Sequence, residues 1–152
     1  LYSILGNGGV KRQFSIIKLD KKEQESEQIF TPELTYDLLG MLEQVVEKGA
    51  SKAKVDGYRV AGKTGTVRKA VAGGFGSDYV GLFAGVAPVS NPKLVVAVVI
   101  NDPAGDLYHG GEVAAPVFSK VMGGSLKLLN VLPDANTRVV EIAQNRGGQY
   151  AG

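Results

Sequence analysis

Leu94-Val95-Val96-Ala97-Val98-Val99-Ile100 is the longest uninterrupted apolar run in the chain. It falls far short of the roughly 20 apolar residues that a bilayer-crossing helix needs. A continuous, mostly β-branched run of this length reads as a strand buried on both faces. Such a strand obliges the chain to build a sheet with cover on each side. Val89-Ser90-Asn91-Pro92 forms a turn before it, and Tyr79 to Ala87 reads as the preceding strand, so these two neighbours should pair antiparallel. Tyr58 to Val67 reads as a third strand despite two glycines. Val10 to Leu19 reads as a fourth, carried by Phe14, Ile16, Ile17 and Leu19.

Helices alternate with these strands. Thr31 is a good N-cap, Pro32 suits the first helical position, and Glu33 suits the positive end of the helix dipole. Leu34, Leu38, Met41, Leu42 and Val45 then recur at helical spacing up to a stop at Gly49. A second helix is expected from about Glu112 to Asn130, with Val117, Val121, Leu128 and Leu129 facing inward. Gly123 and Gly124 within it point to close packing against a sheet. Asn7-Gly8-Gly9 is a turn, Asp20 to Gln28 a polar connection, and Asn101 to Gly111 a loop. The fold class is therefore α/β (α+β), an antiparallel sheet flanked by helices. Residues 1–132 form the folded unit and residues 133–152 a loosely held tail.

Composition narrows the function classes. The 17 basic and 15 acidic residues give a net charge of +2, and the basic residues are dispersed without aromatic interleaving, which argues against nucleic-acid binding. With 44% hydrophobic residues the chain can bury a core. The absence of cysteine excludes disulfides, thiolate metal sites and a cysteine nucleophile, and a single histidine makes no metal site. Residue 1 is Leu rather than Met, and Tyr2-Ser3-Ile4-Leu5 reads as the middle of an element, so the chain is expected to be a piece of something longer.

Chemistry concentrates at Lys63-Thr64-Gly65-Thr66, inside an expected strand. An ammonium and hydroxyls on one strand face make a donor-rich wall for a carboxylate. Gly65 lets a peptide lie against the strand edge and pair as an added strand. A strand N–H can stabilise an oxyanion. Lys-Thr-Gly alone also fits a solvated edge strand, so its context decides. Tyr58-Arg59-Val60-Ala61-Gly62 precedes it, and Phe83-Ala84-Gly85-Val86-Ala87-Pro88, Val99-Ile100-Asn101-Asp102-Pro103, Tyr108-His109-Gly110-Gly111 and Ala115-Pro116-Val117-Phe118 follow in order. From about Leu1 to Asp134 this series resembles the C-terminal part of the transpeptidase domain of class B penicillin-binding proteins, of the division-specific, penicillin-binding protein 3 type.

The resemblance implies a penicillin-binding transpeptidase or serine β-lactamase-like fold, of which only the C-terminal part is present. It implies D,D-transpeptidation of peptidoglycan. A serine attacks the penultimate D-Ala of a D-Ala-D-Ala stem peptide, terminal D-Ala leaves, and an amine resolves the acyl-enzyme. β-Lactam antibiotics acylate the same serine. Carried over by position, Lys63 tunes the site's electrostatics, and Thr64 and Thr66 offer hydroxyls to the substrate or β-lactam carboxylate. The Thr66 N–H serves as an oxyanion donor. Arg68 sits at the pocket's edge, Tyr79 and Tyr108 wall it, Gly65 lines the strand, and Gly110-Gly111 end the loop above. No cofactor is implied. Implied partners are the stem peptide, β-lactams, an N-terminal portion of the same protein and divisome proteins. The implied location is the periplasmic face of the bacterial inner membrane, with the anchor outside this chain.

Val67 stands where the family more usually has Ala, and His109 where an aromatic ring commonly follows Tyr108; His109 is expected to pack at the pocket's edge. The family's nucleophile lies in Ser-x-x-Lys, assisted by Ser-x-Asn. Ser15 and Lys18 fall in an expected strand, where positions i and i+3 point apart. Ser51 and Lys54 follow a helix stop in a basic linker. No Ser-x-Asn occurs. The chain is thus expected to carry one wall of an active site without its nucleophile, and to be inactive alone. Two other readings stay open. A serine β-lactamase shares Lys-Thr-Gly but not the Tyr-x-Gly-Gly and Ala-Pro-Val-Phe series, and a non-catalytic penicillin-sensing or interaction domain would keep the fold.

Overall fold

The computed structural model describes residues 1–17 and 25–135. A short helix α1 (Tyr2–Gly6) leads into β1 (Val10–Arg12), which pairs antiparallel with β2 (Ser26–Gln28). Helix α2 (Pro32–Gly49) follows, then a 3-10 turn (Ser51–Ala53). The sheet is β3 (Ala61–Val71), β4 (Gly74–Ala87) and β5 (Leu94–Asn101), in that spatial order and antiparallel throughout. A single turn α3 (Gly110–Val113) and helix α4 (Ala115–Leu128) close the described fold.

The α2 signals act as expected: Thr31 is extended, its hydroxyl accepts the Leu34 N–H at 3.2 Å, and the helix ends at Gly49. Its buried face is turned from the expected one, however. Thr35, Leu39, Glu43 and Val46 are buried, Leu38 and Leu42 half-buried, and Leu34 and Met41 exposed. The same turn separates expectation from structure in α4. Ala115, Phe118, Met122 and Leu126 go inward, whereas Val117, Val121, Leu128 and Leu129 are exposed. Both stripes have helical spacing, and the bulkier Phe118 and Met122 side chains take the core. Gly123 does pack closely, but against Val55 rather than a sheet strand: an added Cβ would sit 3.1 Å from Val55 Cγ1. Gly124 faces open space.

The strand expected over residues 10–19 is only three residues long. Phe14, Ile16 and Ile17 are exposed, and Leu19 lies outside the described residues. Ser26–Gln28, expected as connection, is a strand. The strand expected from Tyr58 begins at Ala61 and runs on to Val71, and its partner begins at Gly74 rather than Tyr79.

Register assigns the sheet's faces. Phe83, Val96 and Val98 point towards α4, where Phe83 meets Phe118 with ring centroids 4.6 Å apart. Val95 and Val99, opposite Val86 and Leu82, point to the other face. That face is covered at one end, where Leu5, Leu39, Ala61, Val86 and Val89 cluster, and Gly6 approaches Val86 and Val95. Val99 beyond it is 63% exposed. β5 therefore alternates half-buried with exposed residues, because the described residues cover the other face only at its Val95 end. Its outer edge also pairs with no described strand.

Candidate active site

Lys63, Thr64, Gly65 and Thr66 lie on β3, whose outer edge is unpaired among the described residues. They oppose Ala84, Phe83, Leu82 and Gly81 of β4 in turn. Strand alternation sends Thr64 and Thr66 to the face carrying α3, and Lys63 to the opposite one. The expectation of lysine and threonines on a single face is thus corrected. The groups meet by a different route. Lys63 is exposed, and its ammonium bends back to Thr64, 3.3 Å from Oγ1 and 3.2 Å from the carbonyl oxygen. The cation thus meets the Thr64 hydroxyl, and the Thr66 hydroxyl lies two residues along on the same face as Thr64, donors suited to a carboxylate.

Gly110 fixes the loop above this edge. Its N–H donates to Thr66 Oγ1 at 3.1 Å. That bond occupies a lone pair of the Thr66 oxygen and leaves its O–H free to donate. An added Cβ on Gly110 would sit 2.2 Å from Leu82 O and 2.3 Å from Gly65 O, so only glycine allows the loop this close to the strand. Next to Gly110, Thr64, Thr66, Ser51, Lys52, His109 and Glu112 face an open cavity of about 390 Å³. Ser51 thus reaches the cavity, which the sequence pattern did not suggest. Lys54 does not: its ammonium bonds Glu47 Oε2 at 2.5 Å, so the Ser51–Lys54 pair is not assembled for catalysis.

The remaining expected site residues form a row beside the threonines. Arg68 opposes Tyr79, its Nε donates to the Tyr79 hydroxyl at 3.0 Å, and its guanidinium lies 5.4 Å from that ring's centroid. Tyr79 stacks on Tyr108 with centroids 4.1 Å apart, and Tyr108 on His109 at 4.4 Å. The row therefore joins two strands to the loop bearing Gly110, a cation–π contact at one end and an imidazole at the other. A larger hollow of about 660 Å³ lies between the β4–β5 turn and residues 129–134, remote from these groups.

Sequence patterning missed a buried ionic cluster just upstream. Glu43 of α2 is 3% exposed and takes both Arg59 Nε (2.7 Å) and Nη2 (2.8 Å). These hydrogen bonds raise the Arg59 pKa above its ordinary value, so the guanidinium stays charged at every accessible pH. Asp134, 5% exposed, accepts the Arg59 N–H at 2.7 Å and the Ser90 N–H at 3.1 Å. The tail expected from residue 133 is thus held at its start. Residues 136–152 lie outside the described residues, as does Lys18 of the Ser15–Lys18 pair.

Residues 1–123 match the family model described as the penicillin binding protein transpeptidase domain. The chain is 42% identical over 137 residues to the peptidoglycan D,D-transpeptidase FtsI of Buchnera aphidicola subsp. Schizaphis graminum, covering 88% of this chain and 24% of that protein. It is 38% identical over 158 aligned residues to the FtsI of Escherichia coli K12, covering 98% of this chain and 27% of that protein. The structure is similar to the apo TP domain of penicillin-binding protein 3 from Burkholderia pseudomallei, with a TM-score of 0.80 and 36% identity over 88% of this chain and 41% of that one. The chain spans about a quarter of the length of these two curated relatives.

Proposed function

We propose, from the premise that this chain belongs to the penicillin-binding protein transpeptidase family, that it supplies the anion-gripping wall of a peptidoglycan D,D-transpeptidase. The observation that carries this reading is the contact of the Lys63 ammonium with the Thr64 hydroxyl at a strand edge unpaired among the described residues, with Thr64 and Thr66 both facing an open cavity.

In the proposed reaction the terminal D-Ala carboxylate of a stem peptide is held by Thr64 and Thr66, with Lys63 supplying positive charge. A serine oxygen attacks the penultimate D-Ala carbonyl. The C–N bond breaks, and terminal D-Ala departs with a proton, leaving an ester. An amine from a neighbouring strand then attacks the ester, forming the new amide and giving one of its own protons to the serine oxygen. The Thr66 N–H stabilises the oxyanion. Arg68, Tyr79, Tyr108 and Gly110 bound the site on one side; the room expected at Gly65 is taken by Leu82, whose Cδ1 would lie 2.6 Å from an added Cβ, so the extended peptide meets the strand along its backbone edge. A β-lactam enters by the same carboxylate contacts and stops at the ester.

The nucleophile belongs to a preceding portion of the same protein. The edge of β5, unpaired among the described residues, and its exposed Val95 and Val99 support such a partner, because a long apolar edge is a hazard unless another strand and layer cover it. No described helix is long and apolar enough to cross a membrane. The anchor that would hold the protein at the periplasmic face of the inner membrane, and its contacts with divisome proteins, belong to that other portion as well.

The test is release of D-Ala from a stem-peptide donor by the full-length protein in the presence of an amine acceptor. Lys63→Ala should slow release by about 10²-fold or more, the scale seen on removing one group that stabilises transition-state charge. Unchanged release would remove Lys63 from the site.

A further inference from the structure

Glu43 is a carboxylate almost fully buried on α2, and nothing in the proposed reaction uses it. Burying a carboxylate is costly, and a well-packed apolar pair often stabilises a fold as well as an ion pair does. What a bidentate carboxylate–guanidinium fork adds is direction, since two parallel hydrogen bonds fix both the distance and the rotation of the partner.

The partner here is Arg59, held on every side. Its guanidinium is gripped by Glu43 at 2.7 and 2.8 Å. Its N–H donates to Asp134 at 2.7 Å, and its carbonyl accepts the Val89 N–H at 3.1 Å. The second Asp134 oxygen takes the Ser90 N–H, which ties the same carboxylate to the β4–β5 turn. Three segments far apart in sequence therefore converge on one residue.

Only three residues separate Arg59 from Lys63, and they have no slack. Val60 is 3% exposed and Ala61 fully buried. At Gly62 an added Cβ would lie 2.6 Å from the Phe83 ring and 2.8 Å from Ala84 O. Any shift at Arg59 is passed along this packed segment to Lys63 and Thr64.

We propose that Glu43, Arg59 and Asp134 form a positioning device that sets where the Lys63–Thr66 strand lies in the site. The inference rests on the transpeptidase reading above. These residues touch no substrate and act only through the strand. A misplacement of about 1 Å in such a wall costs about 10²-fold in rate.

The test uses the full-length protein and a fluorescent penicillin, with the non-covalent dissociation constant, the acylation rate constant and the labelled fraction measured separately beside the melting temperature. Arg59→Lys keeps the charge and loses the fork. The double variant Glu43→Met with Arg59→Met removes both charges and leaves neither orphaned. Both should be labelled to the wild-type extent with an acylation rate constant lowered about tenfold or more, an effect a purely structural pair would not produce. Wild-type acylation rates in either folded variant would overturn the proposal. So would losses confined to the labelled fraction that track unfolding. A wild-type protein that takes no penicillin would instead overturn the transpeptidase reading itself, and the device with it.

Discussion

Adjacent glycines above the Lys63–Thr66 strand should respond oppositely to the same substitution. In Gly110→Ala the new methyl would meet Leu82 O at 2.2 Å, Gly65 O at 2.3 Å and Leu82 N at 2.9 Å. All three are backbone atoms of paired strands and cannot rotate away. The loop must lift, or β3 and β4 must part. Overpacking of this kind costs about 1–3 kcal/mol. Lifting also breaks the Gly110 N–H to Thr66 Oγ1 bond, worth about 0.5–1.5 kcal/mol net. The expected loss is about 2–4 kcal/mol. In Gly111→Ala the methyl meets only Thr64 Cγ2, at an ordinary 3.4 Å, so the change should stay within about 0.5 kcal/mol. Denaturant unfolding of the full-length protein, read beside fluorescent-penicillin acylation, compares the two. Gly110→Ala should lose stability and acylate roughly 10²-fold more slowly, since Tyr108 and the Thr66 contact move with the loop. Gly111→Ala should match the wild type. If the two variants behaved alike, the close approach of residue 110 to the strand would be wrong.

Three further substitutions probe other parts of the account. Thr66→Val keeps the shape and removes the hydroxyl, so the non-covalent penicillin dissociation constant should rise about tenfold, one lost hydrogen bond to a charged group; an unchanged constant in a titration would take Thr66 out of carboxylate binding. Asp134→Ala strips the acceptor from the Arg59 and Ser90 N–H groups and should cost about 2–4 kcal/mol in denaturant unfolding; a change below about 0.5 kcal/mol would show that residue 134 is not held in place. Phe118→Ala empties a fully buried site against Phe83 and should cost about 3–5 kcal/mol, whereas Val117→Ala, on the exposed side of α4, should cost less than about 1 kcal/mol. A larger loss for Val117→Ala than for Phe118→Ala would mean that α4 faces the core as the apolar periodicity alone suggested.

Local chemistry made much of the fold legible. The Thr31-Pro32 start and Gly49 stop of α2, the β4–β5 pairing across Ser90-Asn91-Pro92, and the Lys63–Thr66 strand all follow from residues within a few positions of one another. Helix rotation did not. In α2 and α4 two apolar stripes lie side by side, and the choice depends on what packs opposite: the Leu39 neighbourhood for one helix, Phe83 for the other. A charged residue in helical register with Leu39 and Val46 was the available clue that Glu43 is buried. Its partner lies 16 residues away, and Asp134 another 75 beyond Arg59, separations no periodicity reports. The β5 run looked buried on both faces because its composition is continuous and β-branched, whereas its burial among the described residues alternates. Lys63 and Thr64 were expected on one face, whereas alternation separates them and the flexible lysine stem reunites them around the edge.

The most direct measurement is the site of covalent penicillin attachment in the full-length protein, read by peptide mass mapping. The adduct is expected on a serine outside these 152 residues, with Lys63→Ala and Thr66→Val slowing its formation without moving it. An adduct on Ser51, which faces the cavity, or on any other serine within the chain, would contradict the claim that this polypeptide grips the anion while another segment attacks.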